Sequence, residues 1–297
     1  MSVRVANPGV ALVRRRRSRE LEVFLSRRAA LGALILLGLI AGAAIAAPFV
    51  APHDPYVQDL AGRLAPPVWA GGTLNNPLGT DQLGRDILSR LIWGGRVSLA
   101  VSVTAVALSG LIGVAAGVAS GYYGRLVDEV IMRLAEVRLA LPLILLVISA
   151  VVVFGPSLWN LIVILALTGW VPYARIVRAE VLSVREREFV TAARAIGSGD
   201  FRIMFRHILP NTVASAIVIG SLELANVIVL ESSLGFLGLG VQPPTPSWGN
   251  MLGEGRDYLM TTWWLTTFPG LTISMTAVSI NLVGDALRDA LDPRLRH

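Results

Sequence analysis

Arg185-Glu186-Arg187-Glu188-Phe189-Val190-Thr191-Ala192-Ala193-Arg194-Ala195-Ile196-Gly197-Ser198-Gly199-Asp200-Phe201-Arg202-Ile203-Met204-Phe205-Arg206-His207-Ile208-Leu209-Pro210-Asn211 is a charged connector between two long apolar runs. Phe189, Ala192, Ala193 and Ile196 fall at i, i+3, i+4 and i+7, which predicts a short amphipathic helix with one apolar face. The alanines on that face let another surface come close. Gly197 and Gly199 stop the helix, because glycine readily takes positive φ. A second short helix follows through Phe205. Leu209-Pro210 then opens the next long helix, with proline tolerated in a first turn.

The runs on either side have the length of membrane spans. A spanning helix needs about 20 mostly apolar residues. Such runs occupy Ala29–Val50, Val97–Tyr122, Thr212–Leu230 and Trp263–Val283, the last with Pro269-Gly270 as an expected kink. The uncharged stretch Leu139–Ala174 is too long for one helix, and Gly155-Pro156-Ser157 divides it into a hairpin of two. The expected count is six. The segment Ala51–Arg96 is rich in proline and glycine and reads as a compact loop. Ile87, Leu88, Leu91 and Ile92 share one helical face there, which predicts a short interfacial helix before the second span.

Composition agrees. The 297 residues are 54% hydrophobic and 15% charged, with a mean hydropathy of +0.64. Soluble domains average about 25% charged, so a soluble enzyme is excluded, as is a disordered chain. Cysteine is absent, so there is no disulfide and no thiolate metal site. The histidines His53, His207 and His297 are too scattered for a metal cluster. Lysine is also absent, which excludes a phosphate-binding P-loop lysine.

All 26 basic residues are arginine, and their placement sets orientation. On a six-span topology 21 of them share one side: Arg4, Arg14, Arg15, Arg16, Arg17, Arg19, Arg27 and Arg28; Arg125, Arg133 and Arg138; the seven from Arg175 to Arg206; and Arg288, Arg294 and Arg296. Both termini and the loop 175–207 are therefore expected to be cytoplasmic, with 51–96 and 231–262 facing outward. The net charge of +6 is mainly this asymmetry, so no nucleic-acid partner is expected. Arg27-Arg28 before an apolar run ending in Ala44-Ile45-Ala46 has the form of an export signal, but the run is long enough to span. It is read as a retained first helix, since signal cores are usually about 7–15 residues.

Glu223 lies in an otherwise apolar span and is read as a possible pathway or subunit-interface acid, as is Glu231. Against this stands a carboxylate near the bilayer edge, bonded within the bundle. Glu129 and Arg133, at i and i+4, make at most a weak surface pair worth about 0.3–0.5 kcal/mol. Gly235–Gly240 follows no strand pattern and is read as allowing a short lateral helix to pack closely, with Trp248 as an interfacial anchor.

Ala192-Ala193, three residues, Gly197, nine residues, then His207-Ile208-Leu209-Pro210 resembles the signature loop of binding-protein-dependent ABC importer permeases. Thr191 and His207 depart from the general pattern, which often has glutamate and isoleucine there. Arg206-His207-Ile208-Leu209-Pro210-Asn211 instead resembles the dipeptide/oligopeptide/nickel branch. So do Asn76–Asp86 with Ser89-Arg90 and Gly95–Leu99, Trp170–Arg175 with Arg178, Leu234–Pro244 with Pro246–Gly249, Asn281–Asp285 and Leu291–Arg294. The likeness covers nearly the whole chain and is to the second permease subunit of peptide importers.

The resemblance implies an all-α integral membrane bundle of six transmembrane helices, of the type I ABC importer permease kind. In domain terms it implies an arginine-rich tail (1–28), a first span (29–50), an external segment (51–96), a five-helix core (97–285) with the coupling loop 175–207, and a second tail (286–297). It implies an ATPase-docking site at Thr191, Ala192, Ala193, Arg194, Ala195, Ile196, Gly197, Ser198, Asp200, Phe201, His207 and Pro210. It implies no catalytic residue, no metal and no cofactor in this chain, with ATP and Mg held by two separate ATPase subunits. The other implied partners are a second homologous permease subunit, an extracytoplasmic solute-binding protein and the lipid of a bacterial inner membrane. The cargo class is dipeptides or oligopeptides, with nickel or another small solute as the alternative. An intramembrane protease is disfavoured because no histidine lies within a proposed span. A stand-alone channel or carrier would not need the docking loop.

Overall fold

The computed structural model describes residues 28–291. The arginines up to Arg27, together with Arg294, Arg296 and His297, lie outside the described residues. The described part is helical, and its one β contact is an isolated bridge between Thr80 and Asp86. The elements are α1 (Arg28–Ile45), α2 (Ile87–Tyr123), α3 (Arg125–Ala140), α4 (Leu143–Phe154), α5 (Leu158–Gly169), α6 (Val171–Val184), α7 (Glu188–Ala195), α8 (Asp200–Ile203), α9 (Leu209–Phe236), α10 (Trp248–Gly255) and α11 (Trp264–Leu291).

Five stretches are long and apolar enough to cross a membrane: α1, α2, α5 with α6, α8 through α9, and α11. The pair α3 and α4, bent by 90°, makes a sixth if it counts as one span. The hairpin expected in Leu139–Ala174 does turn at Gly155-Pro156-Ser157, with Gly155 at φ +84. Its first arm, however, is only the 12 residues of α4, about 18 Å of helix. That is too short to span alone, so the crossing needs α3.

The short interfacial helix expected before the second span does not exist separately. α2 starts at Ile87 and runs unbroken for 37 residues, about 55 Å. Asp86 caps it by accepting the Ser89 N–H at 2.8 Å. Arg90 lies inside α2 yet is 2% exposed, because it bonds Asp81 and Glu254. Arg85 joins the same two acids at 2.7 and 2.8 Å. Two cations and two anions thus close a buried network that joins the loop before α2 to α10. Trp248 is likewise not an interfacial anchor. It is 1% exposed, fits against Gly94 and Gly95, and donates from its indole to the Leu91 carbonyl at 2.9 Å. Gly235 does permit close packing, since a Cβ there would meet Gly249 at 2.8 Å. Arg133 pairs with Glu136 at 3.1 Å, not with Glu129.

The helices assemble along α2. Gly113, Gly117 and Gly121 repeat every four residues on one face of α2. A Cβ on each would meet, respectively, the Trp170 carbonyl at 2.4 Å, the Ala174 carbonyl at 2.7 Å and Val181 Cβ at 2.7 Å. α6 therefore lies directly on the α2 backbone, which is how helices associate in lipid, where apolar side chains gain nothing from leaving water.

The two ends of α2 carry different clusters. Ile87 and Leu91 pack with Trp248, Met251, Trp264 and Leu265 at one end. Val118 and Tyr122 pack with Val177, Val181, Val184, Val190, Ala193, Ile203 and Ile208 at the other. The loop before α2 and the connection to α10 thus share one end of the bundle, and the quoted connector takes the opposite end. Replacing Gly117 by valine should part α2 from α6 and cost folded protein. We expect the melting temperature in detergent to fall by several degrees, as for a loss of about 1–3 kcal/mol from overpacking, with Ala116→Val as the control that leaves it unchanged.

Candidate functional site

The connector folds back on the bundle as a compact unit. α7 begins after Arg187, with Glu188 in its first turn and Arg194 in its last, both favourable to the helix dipole. It ends where expected: Gly197 takes φ +81, its N–H bonds the Arg194 carbonyl at 2.9 Å, and the Ser198 N–H bonds the Ala193 carbonyl at 3.0 Å. This is the paired closure of a Schellman motif, whose left-handed residue is best glycine.

The buried face differs from the one read in the sequence. Val190 and Ala193 are buried against α6 and the start of the next helix. Phe189, Ala192 and Ile196 are exposed, Ile196 by 83%. The segment carries two apolar stripes, and periodicity alone does not tell which one faces inward. The outer stripe is joined by exposed Phe201 and Phe205, whose rings lie 4.3 Å apart. Thr191, Arg194, Ala195 and Asp200 are also exposed, and Ser198 and His207 are partly covered. His207 packs beside Phe189, with ring centroids 6.3 Å apart.

The expected second short helix is continuous with the following span. α8 passes through a π-helical turn, Met204–Ile208, into α9. Pro210 is the reason: it lacks an N–H, and a local change of helical repeat accommodates the lost bond. Asn211 Nδ2 meanwhile bonds the His207 carbonyl at 2.7 Å. The structure thus brings Thr191–Ser198, Asp200, Phe201, His207 and Pro210 together at one end of the bundle.

Polar contacts that the sequence reading missed attach this unit to α2. The Tyr122 hydroxyl donates to Asp200 at 2.6 Å, and the Arg194 guanidinium sits 5.5 Å over the Tyr122 ring. Arg185 donates to the Gly121 carbonyl at 2.8 Å. Asp128 receives two bonds from Arg178, at 2.5 and 2.6 Å, and one from Ser120. The glycine stripe was the readable signal for this region. Tyr122 and the three arginines acquire meaning only once the chain brings them together.

The two acids lie elsewhere. Glu223 is partly buried in α9, near Asn226 and within reach of the charge of Arg138. Glu231 is fully buried beside Ser98 and Ser232. Between α2 and α9 runs a groove of about 750 Å³, walled by Val106, Gly110, Val114, Val118, Val213 and Gly220, with Tyr173 at its base.

The chain matches the family model described as "Binding-protein-dependent transport system inner membrane component" over residues 113–297. A second model, "N-terminal TM domain of oligopeptide transport permease C", matches residues 21–67. The chain is 45% identical to the di/tripeptide transport system permease protein DppC of Pseudomonas aeruginosa, over 92% of this chain and 91% of that protein. It is 43% identical to the dipeptide transport system permease protein DppC of Haemophilus influenzae, over 92% and 93%. For the protein of that name from Escherichia coli K12 the identity is 45%, over 92% and 91%. Among solved structures, a chain of the MetNI methionine ABC transporter in an inward-facing conformation aligns with a TM-score of 0.55. That alignment covers 68% of this chain and 97% of that one at 18% identity, which is a likeness of fold.

Tyr122→Phe deletes the hydroxyl that ties Asp200 to α2 and leaves the ring under Arg194. Hydrogen exchange should then speed up about tenfold across α8, in line with a charge-accepted bond of about 1.5–3 kcal/mol. Unchanged protection there would show that the bond holds nothing in place.

Proposed function

The chain belongs to the family of binding-protein-dependent transport system inner membrane components, and we infer its working parts from that membership together with the geometry of the connector. It is the permease subunit of a peptide-importing ATP-binding-cassette transporter in the bacterial inner membrane. It is a transport subunit and catalyses no covalent step. Di- and tripeptides are the cargo that its relatives' names favour over nickel.

The observation that carries the mechanism is α7, anchored inward by Val190 and Ala193 while Phe189, Ala192 and Ile196 face outward. An apolar stripe held at the end of a membrane bundle and left uncovered fits a docking helix. On our reading its partner is one of two separate cytoplasmic ATPase subunits, which hold the ATP and Mg. Thr191–Ser198, Asp200 and Phe201 form the dock, and His207 and Pro210 shape its return into the membrane. When the ATPases close, α7 is displaced. The α2–α6 seam and the Tyr122 contacts make α2, α6 and α7 move as one lever, tilting the bundle between inward-open and outward-open states.

The apolar groove between α2 and α9 fits a second, homologous permease subunit, since small and branched residues suit helix contact in lipid. Glu223 lies about one turn of α9 beyond Gly220, which supports reading it as an acid of the pathway or the subunit interface. Glu231 stays inside the bundle in this conformation. The end built from 51–86 and 237–263 fits an extracytoplasmic solute-binding protein. The arginine asymmetry places both termini and α7 in the cytoplasm.

Two outcomes follow. The natural chain has no cysteine, so single cysteines report sidedness directly. Met260→Cys, at a residue 97% exposed, should react with an impermeant maleimide in spheroplasts, and Ala195→Cys only after lysis; the reverse pattern contradicts the orientation. Gly197→Val forces a branched residue into a left-handed conformation that costs about 1–2 kcal/mol. ATP-dependent dipeptide uptake by the assembled transporter should then fall several-fold with the chain still in the membrane. Normal uptake would remove the coupling role.

A further inference from the structure

The fourth crossing is interrupted midway. α5 ends at Gly169, α6 begins at Val171, and Pro172 sits in the first turn of α6. Pro172 has no N–H, so the Thr168 carbonyl loses its donor four residues on. An unpaired carbonyl is costly inside a bilayer, and neighbouring groups must satisfy it. Here the donor comes from another helix: Arg138 Nε of α3 reaches the Thr168 carbonyl at 2.6 Å.

The Glu223 carboxylate of α9 lies near enough to the same guanidinium to feel its charge, without an ion pair between them. Tyr173, next after the proline, is 2% exposed, and its hydroxyl has no partner. α9 passes that hydroxyl at Gly220, where a Cβ would lie 3.5 Å away. The break between α5 and α6 thus takes a donor from α3, and α9 passes beside the residue that follows it.

α3 is held to the fourth crossing at a second point, the Asp128–Arg178 pair. Ten residues separate Asp128 from Arg138, and ten separate Thr168 from Arg178. Each interval is about 15 Å of helix, so two antiparallel segments are tied at matching intervals. Between the ties Ala135 is buried, while Val130, Leu134 and Val137 are each more than half exposed.

We propose that Arg138 is a positioning residue for transport: by capping the Thr168 carbonyl of α5 that Pro172 frees, it keeps α3 in register with the fourth crossing and hands the motion of the connector to α3. This rests on reading the chain as an ATPase-coupled permease. The test uses the complete transporter in vesicles, reading dipeptide uptake and ATP hydrolysis per assembled complex. Arg138→Gln should lower peptide imported per ATP about tenfold, as expected for a buried carbonyl left unpaired. Pro172→Ala returns an N–H to the helix, so Arg138→Gln added to it should cost no more than about twofold. An equal loss in both backgrounds, or an unchanged ratio for Arg138→Gln, overturns the proposal. Dipeptide import by the wild-type complex is the control. Its absence would count against the peptide permease reading itself, whereas import without an Arg138 effect overturns only the positioning role.

Discussion

The close contact between α2 and α6 is the constraint on which the other features depend. Gly113, Gly117 and Gly121 leave no side chain between the helices, so the backbone of α6 rests on that of α2. In lipid this substitutes for a hydrophobic driving force, because dispersion contacts and short approach are what remain. The same seam sets the position of Val177, Val181 and Val184, which with Val118 and Tyr122 form the surface that receives Val190 and Ala193. Moving α6 outward by one methyl group would shift the platform on which α7 sits.

The opposite end of α2 is organised differently. There a charge network is added to close packing such as that of Trp248 on Gly94 and Gly95. Arg85, Arg90, Asp81 and Glu254 neutralise one another out of water, and such a pairing depends on all its members, since removing one leaves a buried charge costing about 3–5 kcal/mol. A charge-paired end and a closely packed opposite end brace α2 along its length. Both features suit a subunit that transmits force along the membrane normal.

Much of this was legible in the sequence. The apolar runs located the crossings, Gly155-Pro156-Ser157 marked the turn, and Gly197 marked the end of α7. The misplaced elements share a physical reason. Arg96 and Arg175 read as helix limits, but a charge that water can solvate need not end a helix: both are exposed, α2 runs through Arg96 from Ile87, and α6 continues past Arg175 to Val184. Pro210 read as a start, but a π-turn carries the helix through it. For α7, two apolar stripes one residue apart left the buried face undecided until Val177 and Val181 were in place. The Gly113–Gly117–Gly121 repeat was present as a small-residue pattern in plain view. The contacts of Tyr122, Arg138 and Arg178 are long-range and have no local signature.

The central claim is that α2, α6 and α7 form one lever. Spin labels at Leu111→Cys on α2 and Arg187→Cys at the start of α7, in the assembled transporter, test it directly. The account predicts that their separation changes by less than about 2 Å when ATP binds, within the range of small helix shifts. A change of about 5 Å or more, the size of a one-turn slip, would mean that α7 moves on α2 and would contradict the account.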